Sequence, residues 1–148
     1  MHEFKKGNIF DLECEAIVNP CNCIGIMGAG LALSFKKRFP QMYKSYVQFC
    51  KDGNLRPGSL HTWENPKDFP KYVINFPSKD DLSPSKMEYI ASGLGALKQL
   101  IREKEIKSIG IPALGSGLGG LDWSEVKIYL EAFALELPSV KITFFEPM

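Results

Sequence analysis

Residues 15–39 read EAIVNPCNCIGIMGAGLALSFKKRF, and this stretch decides the class of fold. Its first residues form an apolar run that predicts a buried strand over residues 15–19, ended by Pro20. A polar loop rich in glycine follows, and residues 29–39 then carry a helical pattern. A strand, a glycine loop and a helix in direct succession are typical of α/β domains.

The rest of the chain continues this alternation of strands and helices. Further helices are predicted from Pro40 to Cys50, around Ile90–Ile101 and around Trp123–Phe133. Further strands are predicted at residues 59–63, 72–76, 108–112 and 140–145. We therefore expect one α/β domain over residues 1–148, a three-layer α/β/α sandwich around a mixed, mainly parallel sheet.

Composition and charge exclude several classes of protein. The chain has 148 residues, of which 45% are hydrophobic and 24% charged, and its net charge is +1. That balance is ordinary for a globular domain and too even for a protein that holds nucleic acid by bulk charge alone. No segment approaches ~20 uninterrupted apolar residues, so no membrane contact is expected. The amino terminus lacks the apolar core of a signal peptide, which favours a cytoplasmic location.

Cysteine and histidine do not form a metal-binding pattern. The four cysteines lie at positions 14, 21, 23 and 50, and the two histidines at 2 and 61, without the paired spacing of a zinc site. No metal and no cofactor are therefore expected. Cys21 and Cys23 are interpreted as small space-filling residues, because no partner pattern marks either one as a nucleophile.

Two glycine loops follow predicted strands and indicate a ligand that carries phosphates. The first glycine loop comprises residues 19–30, and the second comprises residues 115–120, with the sequence GSGLGG. Glycines let the backbone approach a ligand closely, and successive N–H groups can bind phosphate oxygens. A helix that begins directly after such a loop adds the positive end of its dipole. Neither loop contains a Walker or dinucleotide signature.

Joint motifs in these loops resemble those of macrodomains. The pattern N-x-x-N-x-x-G-x-M-G-x-G at residues 19–30 resembles the first loop of the family, and G-x-G-x-G-G at 115–120 resembles its diphosphate loop. Residues 7–9, Gly-Asn-Ile, resemble its opening Gly-Asp-Ile element, and the pair Phe144–Phe145 ends the last strand as in the family. Macrodomains bind ADP-ribose, so the resemblance, which covers nearly the whole chain, implies an ADP-ribose site.

The resemblance also implies which residues contact ADP-ribose. Asn8 and Ile9 stand at the adenine-reading position, where Asn8 replaces the usual aspartate but keeps an accepting oxygen. Phe145 either stacks on adenine or belongs to the core. Asn19 is expected chiefly to pin the strand end, and Ala29 stands where close relatives often carry lysine. With Asn19 and Ala29, the expected loop contacts are Gly28, Gly30, Leu31, Ser116, Gly117, Leu118, Gly119 and Gly120.

Lys79 is the expected catalytic residue. The run Phe76–Lys79 places a lysine at a strand end, and it is similar to the branch of macrodomains that holds the terminal ADP-ribose protein glycohydrolases and the DarG antitoxins. That branch uses this lysine for catalysis, and Asn22 is expected with it in the catalytic site, in contact with ribose hydroxyls. Two roles stay open for Lys79. Its neutral amine can attack the anomeric carbon of the distal ribose, or its charged form can stabilise the departing group.

Gly119 favours one substrate within this branch. Protein glycohydrolases that act on glutamate carry an aspartate at this point of the second loop, whereas glycine is more similar to DarG, which removes ADP-ribose from thymidine in DNA. The resemblance thus implies antitoxin-like hydrolysis of ADP-ribosylated DNA, with a cognate ADP-ribosyltransferase toxin as a candidate partner. Two alternatives stay open, namely hydrolysis of ADP-ribosyl-glutamate or aspartate on proteins, and binding of ADP-ribose without chemistry.

Overall fold

A computed structural model describes residues 1–67 and 69–147 of the chain. A single 3-10 turn spans Ile9–Asp11. The strands are β1 (His2–Lys5), β2 (Ala16–Cys21), β3 (His61–Glu64), β4 (Tyr72–Pro77), β5 (Ser108–Ile111) and β6 (Lys141–Phe145). The helices are α1 (Gly30–Arg38), α2 (Pro40–Lys51), α3 (Met87–Lys104) and α4 (Trp123–Leu135).

The six strands form one mixed sheet in the order β1-β6-β5-β2-β4-β3. Every neighbouring pair is parallel except β3 and β4, which are antiparallel. One core cluster joins the sheet to α3 and α4, and a second joins it to α1 and α2. The predicted three-layer α/β/α architecture with a mixed, mainly parallel sheet is confirmed.

The amino-terminal strand was absent from the sequence prediction. Residues 2–5 pair in parallel with β6 at the edge of the sheet, although three of the four are exposed. A short run with one partly buried aromatic, Phe4, has no periodicity that distinguishes a strand from a coil. The pairing therefore depends on β6, which lies at the other end of the chain.

The predicted end of β2 at Pro20 was wrong, because the strand continues through Pro20 to Cys21. β5 pairs with β2 only at Ala16 and Ile17, so the last residues of β2 form an edge on that side. Proline lacks an N–H but is tolerated where no neighbouring strand requires one. The predicted start of β3 at residue 59 was also early, since pairing with β4 begins at His61.

The divergence of β2 and β5 opens a cleft at the carboxyl edge of the sheet. Both strands lead into glycine loops at this edge, and α1 begins directly after the first loop. In open parallel sheets, ligands bind outside the carboxyl ends of strands at such a point of divergence. None of the helices in the described part of the chain is long and apolar enough to cross a membrane.

Candidate active site

A cavity of about 840 Å³ occupies this cleft. It extends from Phe145 at the end of β6 to Lys79 just after β4. These two strands are separated in the sheet by β5 and β2, so three strand spacings of about 4.8 Å give a span of about 14 Å. A cleft of this length and volume accommodates a dinucleotide-sized ligand.

Asn22 braces the first glycine loop from within. Its side-chain Nδ2 donates to the Ile26 carbonyl at 2.8 Å, and its Oδ1 accepts from the N–H groups of Ile24 and Ile26 at 3.2 and 3.3 Å. The buried Tyr46 hydroxyl, from α2, lies 2.7 Å from both Oδ1 and the main-chain carbonyl of Asn22. Asn22 lines the cavity with its polar groups engaged in shaping the loop, and its contact with ribose stays a prediction.

A row of buried polar side chains lies beneath the same loop. Asn19, fully buried in β2, donates to Asn75 Oδ1 in β4 at 2.9 Å and contacts Met27 Sδ at 3.6 Å. Asn75 in turn lies 2.9 Å from Nδ1 of His61, and burial lowers the pKa of His61 to about 4. Asn19 is therefore a structural residue that pins the strand end, and it lies off the cavity wall.

The amino terminus of α1 forms one wall of the cavity. Its N-cap is Ala29, which provides no side-chain hydrogen bond to the first turn. The cap leaves the N–H groups of Gly30, Leu31 and Ala32 without a helical acceptor, and all three residues line the cavity. Such a terminus binds anions through its N–H groups and its dipole. Gly28 and Ala29, also expected at the site, line the cavity as well.

The second glycine loop supplies a further set of N–H donors. Gly117, Leu118 and Gly119 line the cavity, and in the described part of the chain their N–H groups have no protein acceptor. Ser116 and Gly120 differ, because their N–H groups donate to the carbonyls of Ala113 and Gly117. These two residues lie off the cavity wall and shape the turn.

Gly119 has no room for a side chain. A Cβ at this position would lie 2.3 Å from Ser85 Oγ and 2.6 Å from the Gly115 carbonyl oxygen. Ser85 also donates its N–H to the Gly119 carbonyl at 3.0 Å, so the serine seats the loop against the start of α3. Sequence analysis missed Ser85, because no local pattern connects it to a loop more than thirty residues away.

The two loops meet across the cavity. A Cβ on Gly30 would lie 3.1 Å from the Leu118 side chain, although Leu118 is 73% exposed. Gly30 has a φ of +57°, a conformation that glycine adopts without strain. The Leu118 side chain of the second loop therefore lies against the start of α1 at Gly30.

Aromatic and polar groups define the end of the cavity beside β6. Phe145 is nearly buried, yet it lines the cavity together with Ile9. Asn8 lines the same end, where its Oδ1 caps the 3-10 turn by accepting from the Phe10 N–H at 2.9 Å. An accepting lone pair remains on Asn8, and its adenine contact stays a prediction.

Lys79 lies at the opposite end, immediately after β4. Its main chain is tied to the first loop, because its N–H approaches the Cys21 carbonyl at 3.4 Å and its own carbonyl accepts the Cys23 thiol at 3.7 Å. The one salt bridge in residues 1–67 and 69–147 joins Lys98 to Glu136, so no carboxylate holds the Lys79 ammonium. The half-buried side chain lines the cavity and its amine is available to a ligand.

The thiols beside Lys79 are poor nucleophiles. Burial, with the nearby Asp80 carboxylate, raises the pKa of the Cys23 thiol to about 12, and burial raises the pKa of Cys21 as well. Only thiolates are reactive, and neither residue forms one at neutral pH. This supports the interpretation of both cysteines as space-filling residues.

The chain resembles proteins of known family and structure. A model of the Macro domain family matches residues 18–130. A Mycobacterium tuberculosis protein named DNA ADP-ribosyl glycohydrolase is 40% identical over 99% of this chain, and its Thermus aquaticus namesake is 39% identical over 100%. The chain spans 42% of the length of each of these curated relatives.

Solved structures agree with these relatives. The macrodomain of Mycobacterium tuberculosis DarG matches with a TM-score of 0.98 and 40% identity, covering 100% of this chain and 99% of that one. A Thermosipho africanus DarTG structure in complex with ADP-ribose matches with a TM-score of 0.94 and 27% identity, covering 99% of this chain and 42% of that one. The family match, the near-complete coverage and the cleft geometry together show that this chain belongs to the macrodomain family.

Proposed function

We propose that this chain hydrolyses the glycosidic bond between ADP-ribose and thymidine bases of DNA. The proposal rests chiefly on one observation: two rows of N–H donors and the side chain of Lys79 line a single cavity. The donor rows suit the two phosphates of a diphosphate, and Phe145 suits an adenine ring. The distal ribose would then lie beside Lys79 and Asn22.

The similarity to named enzymes supports a hydrolase that acts on DNA. The relatives from Mycobacterium tuberculosis and Thermus aquaticus are named DNA ADP-ribosyl glycohydrolases. The crowding at Gly119 adds support, because no carboxylate can be accommodated there to assist hydrolysis of a protein-linked ester. Binding without chemistry is disfavoured by an unpaired lysine at the ribose end of the cavity.

Lys79 can act on the distal ribose in two ways. As a nucleophile, its neutral amine bonds to the anomeric carbon while the bond to the base breaks, and the base leaves with the electron pair and gains a proton. The resulting glycosylamine opens to a Schiff base as the bond from the anomeric carbon to the ring oxygen breaks and that oxygen takes the amine proton. Water then adds to the Schiff base, frees the lysine amine and releases ADP-ribose. As an electrostatic group, the ammonium stabilises the departing base while water attacks the anomeric carbon directly.

A paired substrate assay tests the proposed function. Wild type and Lys79→Ala are each incubated with a thymidine-ADP-ribosylated oligonucleotide and with a glutamate-ADP-ribosylated protein. We expect ADP-ribose release from the oligonucleotide only, with a loss of about a hundredfold or more in kcat for Lys79→Ala and no comparable loss of ADP-ribose affinity. The matched control is Lys86→Ala, an exposed lysine that lies close to Asp81 and off the cavity wall. Release from the protein alone would contradict the DNA assignment, and release from neither substrate would leave a binding module.

A second variant separates the two roles of Lys79. Lys79→Arg keeps the positive charge but removes the nucleophile. A nucleophilic role predicts an inactive Lys79→Arg and a covalent ADP-ribose adduct on wild type after borohydride reduction, detected by intact-protein mass spectrometry. An electrostatic role predicts partial activity for Lys79→Arg and no adduct.

The proposal includes an ADP-ribosyltransferase toxin as the source of the modified DNA. A Thermosipho africanus relative, 29% identical over 82% of this chain, is named as a fusion of DNA ADP-ribosyl transferase and DNA ADP-ribosyl glycohydrolase. Co-expression of a DNA-modifying transferase with this chain is expected to restore growth, and co-expression with Lys79→Ala is not.

A further inference from the structure

The Lys79 end of the cavity has borders of opposite character. On one side, the exposed carboxylates of Asp80 and Asp81 lie between the lining residues Lys79 and Leu82. A hydrogen bond from the Ser83 N–H, aided by the charge of Lys86, lowers the pKa of Asp81, so this carboxyl is ionised at neutral pH. An approaching phosphodiester is repelled here, even though Lys86 offsets part of the charge.

The border formed by the first glycine loop is apolar and then basic. It starts beside the acidic border, because the Cys23 N–H donates to the Asp80 carbonyl at 3.0 Å. Ile24 and Ile26 are 47% and 45% exposed, and Ile26 lines the cavity. Between them, the Gly25 carbonyl accepts a hydrogen bond from the Tyr43 hydroxyl at 3.0 Å. Lys36 Nζ lies 4.5 Å from the centre of the Tyr43 ring. These contacts form a continuous surface from the cavity mouth to Lys36, which we name the exit rim: Ile24, Ile26, Tyr43 and Lys36.

Lys36 is positioned for an external anion. It forms none of the salt bridges in residues 1–67 and 69–147, and it is followed directly by Lys37 and Arg38. The Tyr43 ring holds its amine in place, which reduces the entropy that a phosphate contact would cost. The exposed side chains of Ile24 and Ile26 offer an unstacked base an apolar surface beside the cavity.

We propose that the modified DNA is bound as a single strand that leaves the cavity over the exit rim, with a backbone phosphate on Lys36, and not over Asp80 and Asp81. The inference rests on the proposed function. It adds the path by which the strand leaves the cavity. It also assigns to Lys36 a contact that an oligonucleotide makes and a nucleoside does not. A modified base must leave its duplex stack to reach the cavity, which favours a single strand.

The test compares a single-stranded ADP-ribosylated oligonucleotide with the ADP-ribosylated thymidine nucleoside. For Lys36→Glu we expect KM for the oligonucleotide to rise about three- to tenfold at low salt, with kcat unchanged. The nucleoside is expected to react as with wild type. Lys36→Gln is expected to lower the slope of log kcat/KM against log salt by about 0.7, the contribution of one phosphate contact in a single strand.

Lys104→Glu is the matched control. Like Lys36, Lys104 is in the last turn of its helix, and its Nζ lies 5.9 Å from the centre of an aromatic ring, that of Tyr72. Tyr72 begins β4, so this lysine is at the edge of the sheet opposite the cavity. Equal KM values for Lys36→Glu and Lys104→Glu would overturn the exit rim, as would a larger KM change for Asp81→Asn than for Lys36→Glu.

The same experiment separates this inference from the proposed function. Wild type that hydrolyses nucleoside and oligonucleotide, with no selective effect of Lys36→Glu, overturns the exit rim while the proposed function stands. Wild type that hydrolyses neither overturns both.

Discussion

The two glycine loops line the same cavity but are held in place by different means. The first is braced by side-chain hydrogen bonds, those of its own Asn22 and those of the Tyr43 and Tyr46 hydroxyls in α2. The second is held by main-chain hydrogen bonds and by the lack of side chains, since Gly119 sits directly against Ser85 and Gly115. The first loop depends on side-chain hydrogen bonds, and the second depends on the absence of a side chain at Gly119.

This difference explains which supports of the two loops are visible in the sequence. The second loop shows its requirement for glycine locally, as GSGLGG. The glycines and Asn22 of the first loop are visible as well, but its tyrosine hydroxyls are not, because an apolar helix face favours tyrosine and phenylalanine alike. Substitutions that add atoms should therefore disturb the second loop, and substitutions that remove a hydrogen-bonding group should disturb the first.

Gly119→Ala should produce the largest effect. The new Cβ would collide with Ser85 Oγ and with main-chain atoms of Gly115, and main chain cannot move aside cheaply. We expect the free energy of unfolding to fall by about 1–3 kcal/mol and ADP-ribose affinity to fall more than about tenfold. Denaturant unfolding and calorimetry measure the two quantities.

Gly117→Ala controls for the added methyl group. No atom lies within 4 Å of a Cβ at this position, so its stability should match wild type within about 0.5 kcal/mol. Equal unfolding free energies for the two alanine variants would show that the second loop does not depend on close packing at Gly119.

Tyr46→Phe should have a smaller effect, confined to the first loop. It removes a buried hydroxyl that lies 2.7 Å from both oxygens of Asn22. We expect a loss of about 1–2 kcal/mol in unfolding free energy, because buried polar atoms of Asn22 lose a partner. Tyr43→Phe is the matched control, since its partly buried hydroxyl bonds only the Gly25 carbonyl and should cost less. A larger loss of unfolding free energy for Tyr43→Phe would show that the Tyr43 hydroxyl stabilises the first loop more than the Tyr46 hydroxyl does.

A lower pH should produce the smallest of the three effects on the free energy of unfolding, through protonation of His61 beneath the first loop. The pKa of His61 is lowered from 6.5 to about 4 by burial, so the unfolded chain takes up this proton before the folded one does. Stability is therefore full above pH 6.5 and is lost as the pH falls from 6.5 towards 4. Between pH 7.5 and pH 6 we expect His61 to contribute a loss of less than about 1 kcal/mol.

Urea unfolding of two histidine variants isolates this contribution. His61→Gln should flatten the change in unfolding free energy between pH 7.5 and pH 6. His2→Gln should keep it, because His2 is exposed at the start of β1. The same pH dependence in wild type and His61→Gln would assign the acid effect to other groups.

Much of the fold was predictable because its elements have strong local patterns. Spaced apolar residues predicted α3, and Pro40 marked the start of α2. Asp122 caps α4, where its carboxylate accepts the Ser124 N–H at 3.1 Å. β1 was missed, and the continuation of β2 past Pro20 was predicted wrongly, because both depend on which strands lie alongside.

The sequence by itself determined the order of the strands and helices from β2 onward, the positions of the two glycine loops and the placement of Lys79 at a strand end. Periodicity, proline and glycine report local conformation, and these features are local. Only the tertiary structure decided which N–H groups remain available to a ligand, that Asn19 is buried beneath the cavity, and that Ser85 and Tyr46 support the two loops. These depend on contacts between residues far apart in the chain, which form only when the sheet register and the helix packing bring them together.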